Sequence, residues 1–407
     1  MRMHRDIKLG LKENWQQFTL LVLVNGFVGA MVGMERVVIP VLADSVFGIE
    51  SYAAVLSFII TFGSAKALSN LLSGRLADDL GRKRLLILGW LIGIPVPLIL
   101  LWAPSWGWVV FANVLLGANQ GFSWTMTVVM KVDLVGSKQR GLALGINESA
   151  GYGAVSIAAL ASGLLMASGS IESIFIAGSV IAVLGFVVSL LFVRDTTGHM
   201  RLEQVEKSEI PAPKPRFIEV FKLTSWTNRN MFSASQAGLI NNLNDGLAWG
   251  LFPLFFLSVG LSLEQMSWLV AAYPFVWGVG QLGTGWLADH IGRKIPVVSG
   301  MLLQGISLIG LVNAPSPEWY LPAMIGQGLG TALVYPSLLA VISDNAAPDW
   351  RSSALGVYRL WRDGGYVVGA ILAGFLADSI GLSGAITWIG LLTLMSGLIA
   401  LVRMQEN

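Results

Sequence analysis

Long apolar runs alternate with short polar breaks along the whole chain. A run of about 20 apolar residues is long enough to cross a bilayer as a helix. Such runs fall at 16–43, 51–73, 84–102, 108–134, 141–167 and 171–193, then at 229–258, 265–287, 295–313, 319–342, 351–378 and 383–403. Most breaks carry turn residues, such as Ala103-Pro104-Ser105 and Ala314-Pro315-Ser316-Pro317. The stretch from Asp195 to Asn228 differs, being polar and charged, with Pro211, Pro213 and Pro215 in alternation. That composition reads as a linker. The pattern therefore predicts an all-α membrane protein with twelve transmembrane helices in two six-helix bundles. The expected division is residues 1–194, a cytoplasmic linker at 195–228, and residues 229–407.

Composition agrees with this pattern. Of 407 residues, 54% are apolar and only 12% charged, against about 25% charged in soluble domains. A surface so poor in charge suits lipid, where each charge is costly. The first apolar run is longer than a signal-peptide core and has no small-residue cleavage site behind it, so it is expected to remain as a span. Position matters more than the net charge of +2. With the N-terminus inside, the inside segments hold 21 of the 26 Lys and Arg residues, and the outside loops hold none. Both termini are thus expected in the cytoplasm of a multi-pass plasma membrane protein. The remaining five bases (Arg36, Lys66, Lys131, Arg359 and Arg362) fall within predicted spans.

The chain repeats itself. Gly74-Arg75-Leu76-Ala77-Asp78-Asp79-Leu80-Gly81-Arg82-Lys83 recurs 211 residues later as Gly285-Trp286-Leu287-Ala288-Asp289-His290-Ile291-Gly292-Arg293-Lys294. In the same register Asp133 meets Asp344, Arg140 meets Arg351, Gly117 meets Gly328, and Ala143-Leu144-Gly145 meets Ala354-Leu355-Gly356. A duplicated six-helix unit keeps both copies in one orientation, so the bundles are pseudo-symmetric about an axis along the membrane normal. The Gly-x-Leu-Ala-Asp-x-x-Gly-Arg-Lys loop, present twice, resembles the signature loop of the major facilitator superfamily. The resemblance covers essentially the whole chain and implies a secondary transporter working by alternating access. It also implies a cytoplasmic gating motif at Gly74, Asp78, Gly81, Arg82, Lys83, Asp133 and Arg140, and at Gly285, Asp289, Gly292, Arg293, Asp344 and Arg351. Asp78 and Asp289 are placed to pair with Arg82 and Arg293, and Asp133 and Arg140 to join them. Steady enforcement of orientation by the basic residues is the plainer reading. Two family elements are absent. Asn113 stands where many proton-coupled members have an arginine four residues before glycine, here Gly117. Gly151-Tyr152-Gly153-Ala154 replaces the fifth-helix Gly-Pro element of antiporters.

Charged groups inside a membrane span cost roughly 2.5–3.5 kcal/mol each on insertion scales, so they call for an explanation. Glu35 and Arg36 are adjacent in the first span, about 100° apart around the helix, and so need not pair with each other. Asp245 of the seventh span is the repeat-equivalent of Met34 and lies at a similar depth. Arg359 and Arg362 share a face of the eleventh span, and Glu148 of the fifth is the repeat-equivalent of Arg359. An acid and a base at matching places suit inter-bundle bridges, with static packing as the alternative. Lys66 is deep, whereas Lys131 is expected to snorkel to water. Asn119, Trp124, Asn241, Gln327 and Tyr335 add polar and aromatic groups for a solute.

There is no Gly-x-x-x-x-Gly-Lys-Ser/Thr loop, no His pattern with metal-ligand spacing, no cysteine and no nucleophile triad. The expectation is a non-enzymatic carrier without cofactor or metal, a monomer in the lipid bilayer that binds no nucleic acid. It moves a small solute with protons, through Glu35 or Asp245. The basic interior favours an organic anion or zwitterion. Proton-coupled efflux of drugs and amphipaths, and uncoupled facilitation, stay open.

Overall fold

The structure, a computed structural model, describes residues 7–136, 140–206, 215–346 and 350–406; within these, the side chains at 74, 75, 78, 79, 140, 203–206, 286, 289 and 352 fall outside the description. All regular elements among the described residues are helical, as membrane burial demands, because only a helix or a closed barrel satisfies its backbone in lipid. The spans are Trp15–Ser45, then Tyr52–Val55 continuing as Ser57–Leu80, then Arg82–Gly93 continuing as Pro95–Leu101, Trp106–Val135, Arg140–Ala167 and Ile171–Leu191. The second set is Arg229–Ser258, Leu263–Ile291, Lys294–Val312, Tyr320–Asp344 and the long helix Arg351–Arg403. That last helix is broken at Gly381, where φ is +79°, making an eleventh and a twelfth span. Among the described residues, eight helices are long and apolar enough to cross a membrane, the broken one counted once. Trp106–Val135, Arg229–Ser258 and Leu263–Ile291 are not among them; the first two bury asparagines, Gln120, Lys131 and two aspartates.

The polarity is inverted relative to a soluble protein. Leu68, Ile157, Ile371 and Phe375 face outward, while Asn113, Asn119, Gln120, Asn241, Asn242 and Asn244 are fully or almost fully buried. Such an arrangement is stable only when the exterior is apolar. Trp106, half-buried at the end of its span, turns its Nε1 to Ser57 Oγ at 2.9 Å.

Glycine lets spans approach closely. A Cβ on Gly33 would lie 2.2 Å from the Val155 carbonyl oxygen, so the first and fifth spans touch backbone to backbone. The two bundles meet along the second and eleventh spans and along the fifth and eighth. Gly63 abuts Tyr366, Gly374 abuts Ala53, and Gly163 abuts Ser267.

The duplication extends to the ends of the spans that face the chain termini. Gly81 and Gly292 both turn at positive φ, +87° and +84°. Arg82 Nε lies 3.4 Å from Asp133 Oδ2, and Arg293 Nε lies 3.4 Å from Asp344 Oδ2. The Lys83 amide donates to Asp195 at 2.9 Å, and the Lys294 amide donates to Glu406 at 3.1 Å. Asp195 and Glu406 are themselves 211 residues apart. Each half thus carries the same carboxylate against the start of its third helix, where the helix end favours negative charge.

Candidate functional site

At mid-depth the two bundles enclose a small polar cavity lined by Lys66, Asn70, Gln120, Trp124, Thr125, Glu148, Tyr335, Arg359 and Arg362. Its volume of ≈ 20 Å³ suits a water or two and no solute. Three cations and one carboxylate line it. Lys66 Nζ sits among the rings of Phe62, Trp124 and Tyr366, 5.1–6.0 Å from their centroids. Neither Lys66 nor Arg359 makes an ion pair or hydrogen bond among the described residues, whereas Arg362 is fully engaged. Its guanidinium donates to Tyr335 Oη at 2.7 Å and lies 3.6 Å from Asp363. Asp363 in turn accepts from Asn70 of the opposite bundle at 2.5 Å. Glu148 accepts from Trp124 Nε1 at 3.1 Å and from Asn147 Nδ2 at 2.9 Å; its other oxygen is buried without a partner among the described residues.

Two further buried acids differ in kind. Asp245 holds Arg36 through two parallel bonds of 2.8 and 2.9 Å and also accepts the Tyr366 hydroxyl. Arg36 rests 5.4 Å over the Trp249 ring. This bidentate pair joins the first span to the seventh, across the two bundles, and its geometry is the strong form of an ion pair. Glu35, one residue away, is fully buried and faces Asn113. Neither of its oxygens has a hydrogen-bond partner among the described residues.

The structure brings Lys66, Trp124, Glu148, Tyr335, Arg359 and Arg362 to one cavity, with Asp245 and its partner Arg36 beside it; Glu35 is not among its lining residues. It takes other candidates elsewhere. Asn119 donates to the Gly89 carbonyl of the third span at 2.9 Å, and Asn241 accepts from Gln304 of the ninth at 3.0 Å. Both knit helices within a bundle. Gln327 is buried and does not line the cavity, and its side-chain amide has no hydrogen-bond partner among the described residues. Glu148 and Arg359 share the cavity but form no ion pair among the described residues. Lys131 does not reach water but donates to the Leu21 carbonyl at 3.2 Å, fully buried. Asn70, which lines the cavity, and Tyr366, which stands by Lys66 and Asp245, are residues the sequence reading passed over. Their signal was helical spacing, as Asn70 is one turn past Lys66 and Tyr366 one turn past Arg362.

In the gating motif, the described ion pairs of Arg82 with Asp133 and of Arg293 with Asp344 lie inside single bundles. Thr196 also donates to Asp133, at 2.7 Å. Arg351 Nε donates to the Ser343 carbonyl at 3.0 Å, closing the loop before its own helix. The side chains of Asp78, Asp289 and Arg140 lie outside the described residues.

The family described as Major Facilitator Superfamily matches residues 18–236 and 234–406. The chain belongs to the major facilitator superfamily. An uncharacterised transporter of this superfamily from Salmonella typhimurium is 24% identical over 86% of this chain and 87% of its own length. The arabinose-proton symporter of Escherichia coli is 28% identical over 37% of this chain and 31% of the symporter. A multidrug resistance efflux pump homologue of Lactococcus lactis is 26% identical over 46% of each chain. The first curated relatives are matched over only a quarter to a third of their length. Among solved structures, a transporter of the POT family in complex with a thioalcohol-conjugated peptide superposes with a TM-score of 0.76. It covers 97% of this chain and 98% of its own at 13% identity, which speaks to fold alone. The chain is thus a multi-pass, all-α membrane protein of this superfamily, its helices falling in two pseudo-symmetric bundles.

Proposed function

We propose that the protein is a proton-coupled secondary transporter for a small organic anion or zwitterion, bound by the walls of the central cavity when the bundles part and widen it. The observation that carries this reading is the pair of uncommitted cations, Lys66 and Arg359, on the cavity wall. A desolvated cation without a counter-charge is costly, and a substrate carboxylate supplies that counter-charge; an arginine offers it a bidentate grip. Arg362 is held in place by Tyr335 and Asp363, and so orients the site without being freed by each substrate.

Glu35 is the proton carrier in this reading. It takes up and releases a proton without first breaking an ion pair, whereas Asp245 would have to leave Arg36. Proton coupling is also the property named for the arabinose and galactose symporters to which the chain is similar. The Arg36–Asp245 pair links the bundles and parts when they rock. The termini face the cytoplasm across a plasma membrane, the protein works as a monomer, and residues 195–228 join two halves at 1–194 and 229–407. The Arg82–Asp133 and Arg293–Asp344 pairs keep each cytoplasmic loop in register during the cycle.

A second reading, efflux of amphipathic compounds, is favoured by the aromatic wall between the bundles. Tyr152 stacks on Trp277 at 3.5 Å between centroids, with Trp124 and Tyr335 flanking them. Purified protein in liposomes with an internal pH dye separates the two. Organic anions are expected to drive proton movement, and Lys66→Gln to raise their apparent KM by roughly tenfold, the scale of one charge-assisted contact. Proton movement with cationic drugs alone would give the case to efflux.

A further inference from the structure

Ser51 and Ser262 begin the second and eighth spans, 211 residues apart. Each caps its helix, Ser51 Oγ accepting from the Ala54 amide at 3.3 Å and Ser262 Oγ from the Gln265 amide at 3.2 Å. The eighth span is otherwise self-sufficient. Gln265 returns a bond to the Ser262 amide at 3.0 Å, and Glu264 places an acid in the first turn. The second span has Ala53 and Ala54 at those places and no acid in its first turn. Its acid comes from the other bundle. Asp378, at the far end of the eleventh span, accepts from the Tyr52 amide at 2.7 Å, the Ala53 amide at 3.1 Å and Ser51 Oγ at 2.8 Å. Beside it, a Cβ on Gly374 would lie 2.6 Å from Ala53 Cα, so the two helices are in close contact there.

We propose that Asp378 latches the gate on the face opposite the chain termini, holding the second span to the eleventh only while that face is closed. All three donors belong to the first bundle and the acceptor to the second, so any separation of the bundles at this face breaks every bond together. Asp378 and Ser51 are exposed, so water replaces the lost partners and the latch can open in each cycle. The asymmetry between the repeats fits the role. The eighth span keeps its cap in every state, while the second span gains a full cap only in the closed one. This proposal does not depend on the substrate or on proton coupling.

The chain has no cysteine, so two nitroxides can be placed cleanly at Ser168→Cys and Glu264→Cys, exposed sites on that face in different bundles. Pulsed electron spin resonance then reads the distance between them. Asp378→Asn is expected to move the closed-to-open ratio by about tenfold toward the longer distance, the scale of losing a charged helix cap. Ala54→Glu rebuilds the cap within the second span, as in the eighth. In the double variant the longer distance is expected to persist while thermal stability recovers. Return of the double variant to the wild-type distances would reduce Asp378 to a structural cap. An unchanged distance in Asp378→Asn would also overturn the proposal.

Discussion

Glu35 and Asp245 are both fully buried carboxylates on facing central helices, but among the described residues only Asp245 has a cation. Removing one member of a buried ion pair leaves a desolvated charge behind, at about 3–5 kcal/mol. Asp245→Asn is accordingly expected to destabilise the protein by about that amount, seen as a lowered thermal midpoint in detergent. Glu35→Gln replaces a carboxyl that has no partner, so its midpoint should stay near wild type. Its transport should split instead, with proton-driven accumulation lost and substrate counterflow kept. A Glu35→Gln protein that still accumulates substrate against a gradient would remove Glu35 from the proton path. That Glu35 and Arg36 need not pair with each other followed from the helix angle; that Arg36 would reach Asp245 did not, because the pairing joins residues 209 positions apart.

At the level of helices, the twelve spans were largely legible, since a 20-residue apolar run leaves little alternative. Their ends were less so. The second span continues to Leu80, beyond the apolar run, because Gly81 rather than polarity ends it. The carboxylates at these ends were not legible at all. Asp195 looked like the start of a linker, yet it receives the Lys83 amide. Burial pushes its carboxyl upward, but bonds from Thr197 and the Lys83 amide and the charge of Arg82 outweigh that and hold it below the usual carboxylate range. The stability it contributes is therefore fully present above the unfolded value and is lost as pH falls through the lower folded one. Asp195→Asn should lower the thermal midpoint at neutral pH, and the gap from wild type should close in acid. A gap that stays constant from neutral pH to about pH 3, beneath the free carboxylate value, would show that the charge of Asp195 does not matter.

For the whole molecule, alternating access requires the bundles to part on one face while they close on the other. Ser51 Oγ and Asp378 Oδ2 lie 2.8 Å apart across the two bundles, and both side chains are exposed. In this cysteine-free chain, Ser51→Cys with Asp378→Cys should be joined by a short reducible thiol cross-linker, stop transport and recover on reduction. Continued transport by the cross-linked protein would mean that this face need not open.

The sequence by itself determined the membrane character of the chain, its all-helical class, the repeat and the family. These rest on local composition and on a duplication that any register search finds. It also supplied most of the cavity's charged residues, because a charge within a span is rare enough to stand out. Only the tertiary structure decided the partners. Asn119 and Asn241 look like cavity groups in sequence but face neighbouring helices, since the rotation of a span about its axis is set by packing. Lys131 turns inward to a carbonyl for the same reason. Asp378 carries no signal at all until the bundles close, because its contacts are with the backbone amides of a distant helix, and a backbone amide has no residue identity to read.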